Sequence, residues 1–176
     1  MEKIMKKIYS FFALFTLSSM AFANTYDFMP EAKLENKDVA KWNVGLGITQ
    51  KLGHLNVEWI NPYGIAYVKG GAYVNGDHAI GGQAGFRYPY YLTGTQENGY
   101  YIGFYAGSLD SHRVNDDYKS RFGGGLDLAF VWLNKERVST VSVGIGAGEA
   151  LKDASGVTVV ESKPQLQFSY TLSFGL

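Results

Sequence analysis

The chain has 176 residues, enough for one domain, and sets 16 Lys and Arg against 16 Asp and Glu. No charge excess points to nucleic acid, and the absence of cysteine excludes disulfides, thiolate metal centres, cysteine nucleophiles and a bacterial lipoprotein anchor. With 22 Gly and 13 Tyr against 4 Pro, the composition favours strands and tight turns over helices.

Residues 1–23 read as a cleaved secretory signal. Lys3, Lys6 and Lys7 form a basic start, residues 8–15 are mostly apolar, and Ala21, Phe22 and Ala23 make a small-x-small cleavage site. The apolar run is too short for a membrane anchor. Its removal takes away three lysines and one glutamate and leaves the remainder at −2. Residues 24–41 are polar and lack alternation. Pro30, Ala32, Leu34 and Val39 would support a short helix, but the apolar face is thin and a flexible lead-in is preferred. The remainder holds no run of ~18 apolar residues that would make a spanning helix.

From Trp42 the period becomes 2. Trp42, Val44, Leu46 and Ile48 alternate with Asn43, Gly45, Gly47 and Thr49, so one face is large and apolar and the other small and polar. The same alternation places Ile80, Ala84, Phe86, Tyr88 and Tyr90 on one face of a strand, and Tyr100, Ile102, Phe104 and Ala106 on the next. It continues with Phe122, Leu126, Leu128, Phe130 and Trp132, then with Val141, Val143, Ile145 and Ala147. It ends with Leu166, Phe168, Tyr170, Leu172, Phe174 and Leu176. Residues 54–60 and 64–74 make two less regular strands. In the second, Lys69 is assigned to the interior, because a charge on a lipid-facing surface costs about 2–4 kcal/mol at mid-bilayer. Eight strands are therefore predicted, over residues 42–50, 54–60, 64–74, 78–90, 98–108, 119–133, 137–148 and 163–176.

The apolar faces carry almost no charge, whereas the polar faces carry Gly, Ser, Thr, Asn and Gln with Glu58, Arg87, Arg121 and Asp127. An export signal, small residues suited to a narrow lumen and the placing of the aromatics all assign the apolar face to the outside. With the N-terminus in the periplasm, Trp42, Trp59, Tyr63, Tyr88, Tyr90, Tyr100, Trp132 and Phe174 fall at the periplasmic strand ends. An interfacial girdle has this composition, since each ring is apolar and its polar tip seeks water. Residues 61–63 and 134–136 are then short periplasmic turns, and residues 109–118 and 149–162 long polar outer loops. The expected fold is all-β: a single antiparallel, up-and-down transmembrane β-barrel over residues 42–176, with both termini periplasmic.

Over those residues the chain resembles the small outer-membrane barrels, of which OmpX and the membrane domain of OmpA are members. The resemblance rests on architecture and on the last strand. There Phe168, Tyr170, Leu172, Phe174 and Leu176 are similar to the signal read by the barrel-assembly machinery, which normally ends in Phe rather than Leu. It implies an outer-membrane location, lipid and lipopolysaccharide as surroundings and no cofactor.

Several residues bear on chemistry. Glu58, Lys69, Arg87, Arg121 and Asp127 would pair across the lumen and fill it; a gated ion path is the alternative. His54, His78 and His112 fall near the outer ends and would offer imidazoles to Zn²⁺ or Cu²⁺, but no pair has a spacing that builds a site locally. Asp110, Ser111 and His112 are similar in residue type to the catalytic groups of the lipid A-modifying barrels, the palmitoyltransferase PagP and the deacylase PagL; sequence neighbours rarely meet triad geometry, so His54 or His78 is preferred as the base. Gly123, Gly124 and Gly125 lie within a strand with no following helix, so they serve curvature and packing rather than phosphate binding. Asp110, Asp116, Asp117, Glu149 and Asp153 make the outer loops acidic, a solvated surface able to attract divalent cations. A non-enzymatic role in envelope integrity or surface contact leads. A lipid A-modifying enzyme and a narrow channel are the alternatives.

Overall fold

Strands with one apolar and one polar face must hide one face and show the other, and a sheet that closes on itself does both at once. The computed structural model describes residues 31–34, 39–74, 79–93, 97–114 and 117–176. The chain divides into two compact units, Met1–Glu31 and Ala32–Leu176; apart from Glu31, the described residues belong to the second. The expected signal peptide, most of the lead-in and His78 lie outside them.

The strands are β1 (Trp42–Thr49), β2 (Leu52–Asn61), β3 (Gly64–Tyr73), β4 (Ile80–Thr93), β5 (Asn98–Val114), β6 (Asp117–Leu133), β7 (Arg137–Gly148), β8 (Leu151–Lys152), β9 (Thr158–Val160) and β10 (Pro164–Gly175). Eight of them form a closed barrel in which neighbours in sequence pair antiparallel, β7 pairs with β10, and β10 returns to β1. The other two, β8 and β9, form a small hairpin within the connection from β7 to β10. There is no helix among the described residues.

The outer surface is the apolar one. Leu46 is 66% exposed, Leu126 62% and Phe104 58%, whereas Glu58, Asn56 and Ser173 are buried inside. On β3, the less regular strand, Ile65, Tyr67, Lys69 and Tyr73 point inward and Val68 outward, and Val74 just beyond it is exposed.

Three boundaries depart from the sequence reading, each for a physical reason. Residues 109–118, expected to be a long loop, are mostly strand: β5 and β6 stay paired to Val114 and Asp117. The register shifts between Ser108 and Asp110, which resets the alternation, and the residues beyond it are polar on both faces. A strand without an apolar–polar contrast between its faces leaves no period-2 signature, although Leu109, Asp110, Ser111 and Val114 are all buried here. β4 also runs past its expected end, to Thr93, because a shift between Pro89 and Tyr91 breaks the alternation and lets Leu92 pack against the apolar floor. β2 begins at Leu52, earlier than expected, because Thr49 Oγ1 accepts the Leu52 N–H (2.8 Å) and tightens the turn.

The barrel closes where β1 meets β10, and β1 is the shorter strand. Gln50 extends it. Its side-chain amide donates to the Leu166 carbonyl (2.6 Å) and accepts the Phe168 N–H (2.6 Å), so a side chain occupies the place of one more peptide unit. At the opposite end of this seam the Leu176 N–H donates to the Trp42 carbonyl (3.0 Å).

The end that carries the barrel's termini has an apolar floor. Leu34, from the lead-in, is buried against Ile60, Ile65, Tyr101, Val131, Leu133 and Val138. Its N–H donates to the Pro62 carbonyl (3.0 Å), and the Ala40 N–H to that of Lys135 (3.2 Å). The described part of the lead-in is therefore irregular chain folded under the barrel, not a helix. On the outer surface of this same end, Trp42 stacks on Trp59 (6.1 Å between ring centroids), and Tyr100, Phe130 and Trp132 meet edge to face. Tyr63, Tyr90 and Phe174 are also exposed there, Tyr88 is partly exposed, and Lys33 lies over the Tyr88 ring (5.4 Å).

Candidate functional site

Above the floor the lumen is polar, and one ion pair fills its middle. Arg87 on β4 donates through Nε (3.1 Å) and Nη2 (2.7 Å) to Asp127 Oδ2 on β6, and Nη2 also reaches Ser142 Oγ (3.3 Å). The guanidinium lies over the Tyr67 ring, 4.5 Å from its centroid, and Lys69 Nζ lies 5.7 Å from the same ring. Space for the pair comes from glycine. A Cβ on Gly103 would stand 2.2 Å from Asp127 Oδ1 and 2.8 Å from Arg87 Cγ. Tyr105 fills the next layer in the same manner, its hydroxyl 2.6 Å from where Gly125 or Gly146 would place a Cβ.

A second cluster lies towards the end remote from the termini. Asp110 on β5 receives Arg121 of β6 in a two-pronged contact, Nε to Oδ1 (2.8 Å) and Nη2 to Oδ2 (2.9 Å). Lys51 Nζ donates to Asp110 Oδ2 (3.0 Å), and His112 Nε2 is 3.3 Å from it. Arg121 also donates to the Glu161 carbonyl (3.1 Å), and Lys51 to Gln165 Oε1 (3.3 Å), which ties the barrel wall to the segment after β9. Above this cluster opens a cavity of about 600 Å³. The β8–β9 loop beside it is held by Asp153. Its carboxylate accepts the Ser155 hydroxyl (2.6 Å) and the Val157 N–H (2.9 Å), which hold it below the usual carboxylate range.

The expected lumen charges thus separate into two groups. Arg87 meets Asp127, as the interior pairing required. Arg121 points inward but meets Asp110 rather than Glu58 or Asp127, because Asp110 is its direct cross-strand partner. Glu58 is buried with Oε2 lacking a hydrogen-bond partner, and Lys69 is buried without an ion pair among the described residues. The sequence alone offers Asp110 as an acidic loop residue and as a candidate partner of Ser111 and His112, and does not point to Lys51. One signal was available: Asp110 and Arg121 are equidistant from the tip of their hairpin, so a continuous ladder would have paired them.

The candidate triad does not assemble. Asp110 and His112 share one face of β5 and meet, but alternation sends Ser111 to the other face, where its Oγ has no hydrogen-bond partner. The candidate metal histidines do not converge either. His54 is buried in the lumen on β2, His112 stands at the mouth, and His78 lies outside the described residues. No group of three or more His, Cys, Asp or Glu side chains suited to a metal occurs among the described residues.

An apolar floor, a buried ion pair with Tyr67 and Tyr105 packed about it, and a four-residue cluster at the mouth leave no continuous wide path. In planar bilayers the full chain is expected to show no steady conductance; a stable, large-conductance pore would refute the filled lumen.

These features define an all-β, up-and-down, eight-stranded closed barrel with an apolar exterior and a filled polar interior. That architecture is consistent with the OmpX-like fold class. Compared with known proteins, the chain matches no family model, no curated protein and no solved structure.

Proposed function

We propose that this chain is a small, non-enzymatic barrel of the bacterial outer membrane, serving envelope integrity or surface contact through the connections at its far end. One observation carries the reading: the barrel is apolar outside and charged inside. Val44, Leu46, Ile102, Phe104, Leu126, Leu128, Val143, Ile145, Leu166 and Phe168 are all exposed on paired strands. A water-soluble monomer rarely shows an apolar patch above a few hundred Å², and this belt runs from strand to strand around the barrel. A closed barrel satisfies its backbone groups internally and is one of the two structures that lipid tolerates. The aromatic ring at the termini end supports a periplasmic position for both termini, and the basic, apolar start supports export of residues 24–176 after cleavage. In this reading the chain is delivered to the barrel-assembly machinery and then surrounded by lipid and lipopolysaccharide. The failure of Ser111 to meet His112 argues against the acyl-transfer alternative.

The protein is expected to fractionate with the outer membrane and to migrate faster on a gel when unheated than after boiling. Recovery as a soluble periplasmic protein would sink the reading. Lipid A mass profiles from cells with and without the gene are expected to be identical, which separates a structural role from an enzymatic one.

A further inference from the structure

We propose that the cavity at the far mouth binds a phosphorylated saccharide, held by Lys51, His112 and Arg121. This goes beyond the envelope reading and does not depend on it, since the site is built from the barrel's own side chains.

The argument begins with charge. At the base of the cavity two permanent cations, Lys51 and Arg121, and one imidazole converge on a single carboxylate, Asp110. One carboxylate neutralises one cation, so the base keeps a positive excess. Glu161 and Lys163 at the rim form their own pair (2.6 Å) and cancel each other. Asp110 and Arg121 are almost wholly buried, their side chains 3% and 4% exposed, so this is a fixed framework rather than a meeting of surface chains. Lys51 and His112 are 37% and 39% exposed at the side chain, which leaves their polar ends open to the cavity.

Donor capacity comes next. Lys51 has three N–H bonds and uses two, on Asp110 and Gln165. Arg121 has five and uses three, on Asp110 and the Glu161 carbonyl. The three groups come from three places on the wall: the turn between β1 and β2, then β5 and β6. A carboxylate offers two coplanar oxygens and suits one planar fork. A phosphate monoester offers three oxygens in a tetrahedron and suits donors arriving from several directions. The cavity of about 600 Å³ falls within the range of small-ligand sites and far exceeds a bare phosphate. Thr158, Val159, Val160, Pro164 and Gln165 along one side offer a mixed wall of methyl groups, a hydroxyl and an amide. Sugar rings, which have apolar faces and polar edges, fit such a wall. The same chemistry occurs in a soluble sugar phosphate and in the headgroup of a phosphorylated glycolipid.

The test uses the full chain folded in a phosphate-free maltoside detergent, with the β-sheet circular dichroism spectrum as the check on folding. Four probes are titrated by calorimetry: glucose 6-phosphate, the phosphorylated disaccharide left when lipid A is fully deacylated, glucose and inorganic phosphate. Saturable binding of one or both phosphorylated sugars is expected, with glucose silent and inorganic phosphate weaker. The tighter sugar names the source, headgroup or soluble metabolite. Lys51→Met with His112→Gln should weaken that binding by about tenfold or more, the loss expected for removing charge-assisted contacts. In the unaltered protein, the His112 ring resonances should shift as the sugar saturates, a readout that needs no variant. No saturable binding by either phosphorylated sugar, equal binding of glucose or inorganic phosphate, or titration that leaves His112 unmoved would each overturn the proposal. A failed heat-shift with intact sugar binding would count against the membrane reading alone.

Discussion

Asp127→Asn is expected to destabilise the barrel by about 3–5 kcal/mol, the range for removing one partner of a buried ion pair. Arg87 would keep its charge in a lumen where its carboxylate partner, 2.7 Å away, had become neutral, with Lys69 buried over the same Tyr67 ring. Water cannot easily take the place of the lost charge, because Tyr67, Tyr105 and Ser142 pack about the pair and the void beside them is only about 10 Å³. That volume is the lower limit for holding a single water. The measurement is a urea titration scored by the unheated gel shift, with Arg87→Met, Asp127→Asn and the double variant completing a cycle. The double variant should cost less than the two single losses added together, because an uncharged lumen has no orphan to desolvate. Additive losses, or an Asp127→Asn barrel as stable as the parent, would show that the pair does not hold the lumen.

Leu128→Arg is expected to cost about 2–4 kcal/mol in the folded, lipid-embedded barrel. Leu128 is exposed on β6, paired with Ile102 and Val143, four residues from the girdle residue Trp132 and so about 13 Å along the strand. On the proposed membrane reading that distance brings it near mid-bilayer, where an arginine cannot readily reach either interface. A soluble barrel would also suffer from this change only if Leu128 were inside. A spin label on Leu128→Cys separates the cases. It should be accessible to oxygen dissolved in lipid and shielded from a water-soluble nickel reagent. Exposure to the nickel reagent, in protein that stays dissolved without detergent, would remove the membrane from the account.

Both expectations come from the same alternation, and the alternation is the part of the fold that the residues declare. Asp127 and Leu128 are neighbours in sequence and opposites in environment, as period 2 demands. The pattern was readable wherever one face met apolar surroundings and the other met polar ones. It failed where that contrast vanished. Beyond Ser108 the register shifts and Asp110, Ser111, His112 and Arg113 are all polar, so the residues show no alternation and the pairing of Asp110 to Arg121 has no sequence signature. Leu34 and Val39 belong to a thin apolar face that points to no particular partner in the sequence; only the closed barrel creates the hole Leu34 fills. Glycine in strands was read as packing space, but how little space could not be counted. A Cβ on Gly125 would sit 2.3 Å from the Ile145 carbonyl, so even a serine there meets backbone.

The Gln50 seam has a consequence for assembly. Gln50 and Phe168 are 118 residues apart, and the ladder they extend is the one that turns a sheet into a ring. Every other strand in the barrel finds a partner next to it in sequence, apart from β10, which reaches β7 past the β8–β9 hairpin. The ring therefore cannot close until its last strand is available. Before that, β1 and β7 present bare edges, each a template for pairing with another chain. Closing so long a loop is entropically slow, and its reward arrives only when both ladders of β10 form together. The chain is consequently at its most vulnerable when it is nearly complete. A side chain that lends the first strand one extra rung shortens that interval by giving the last strand more to seize.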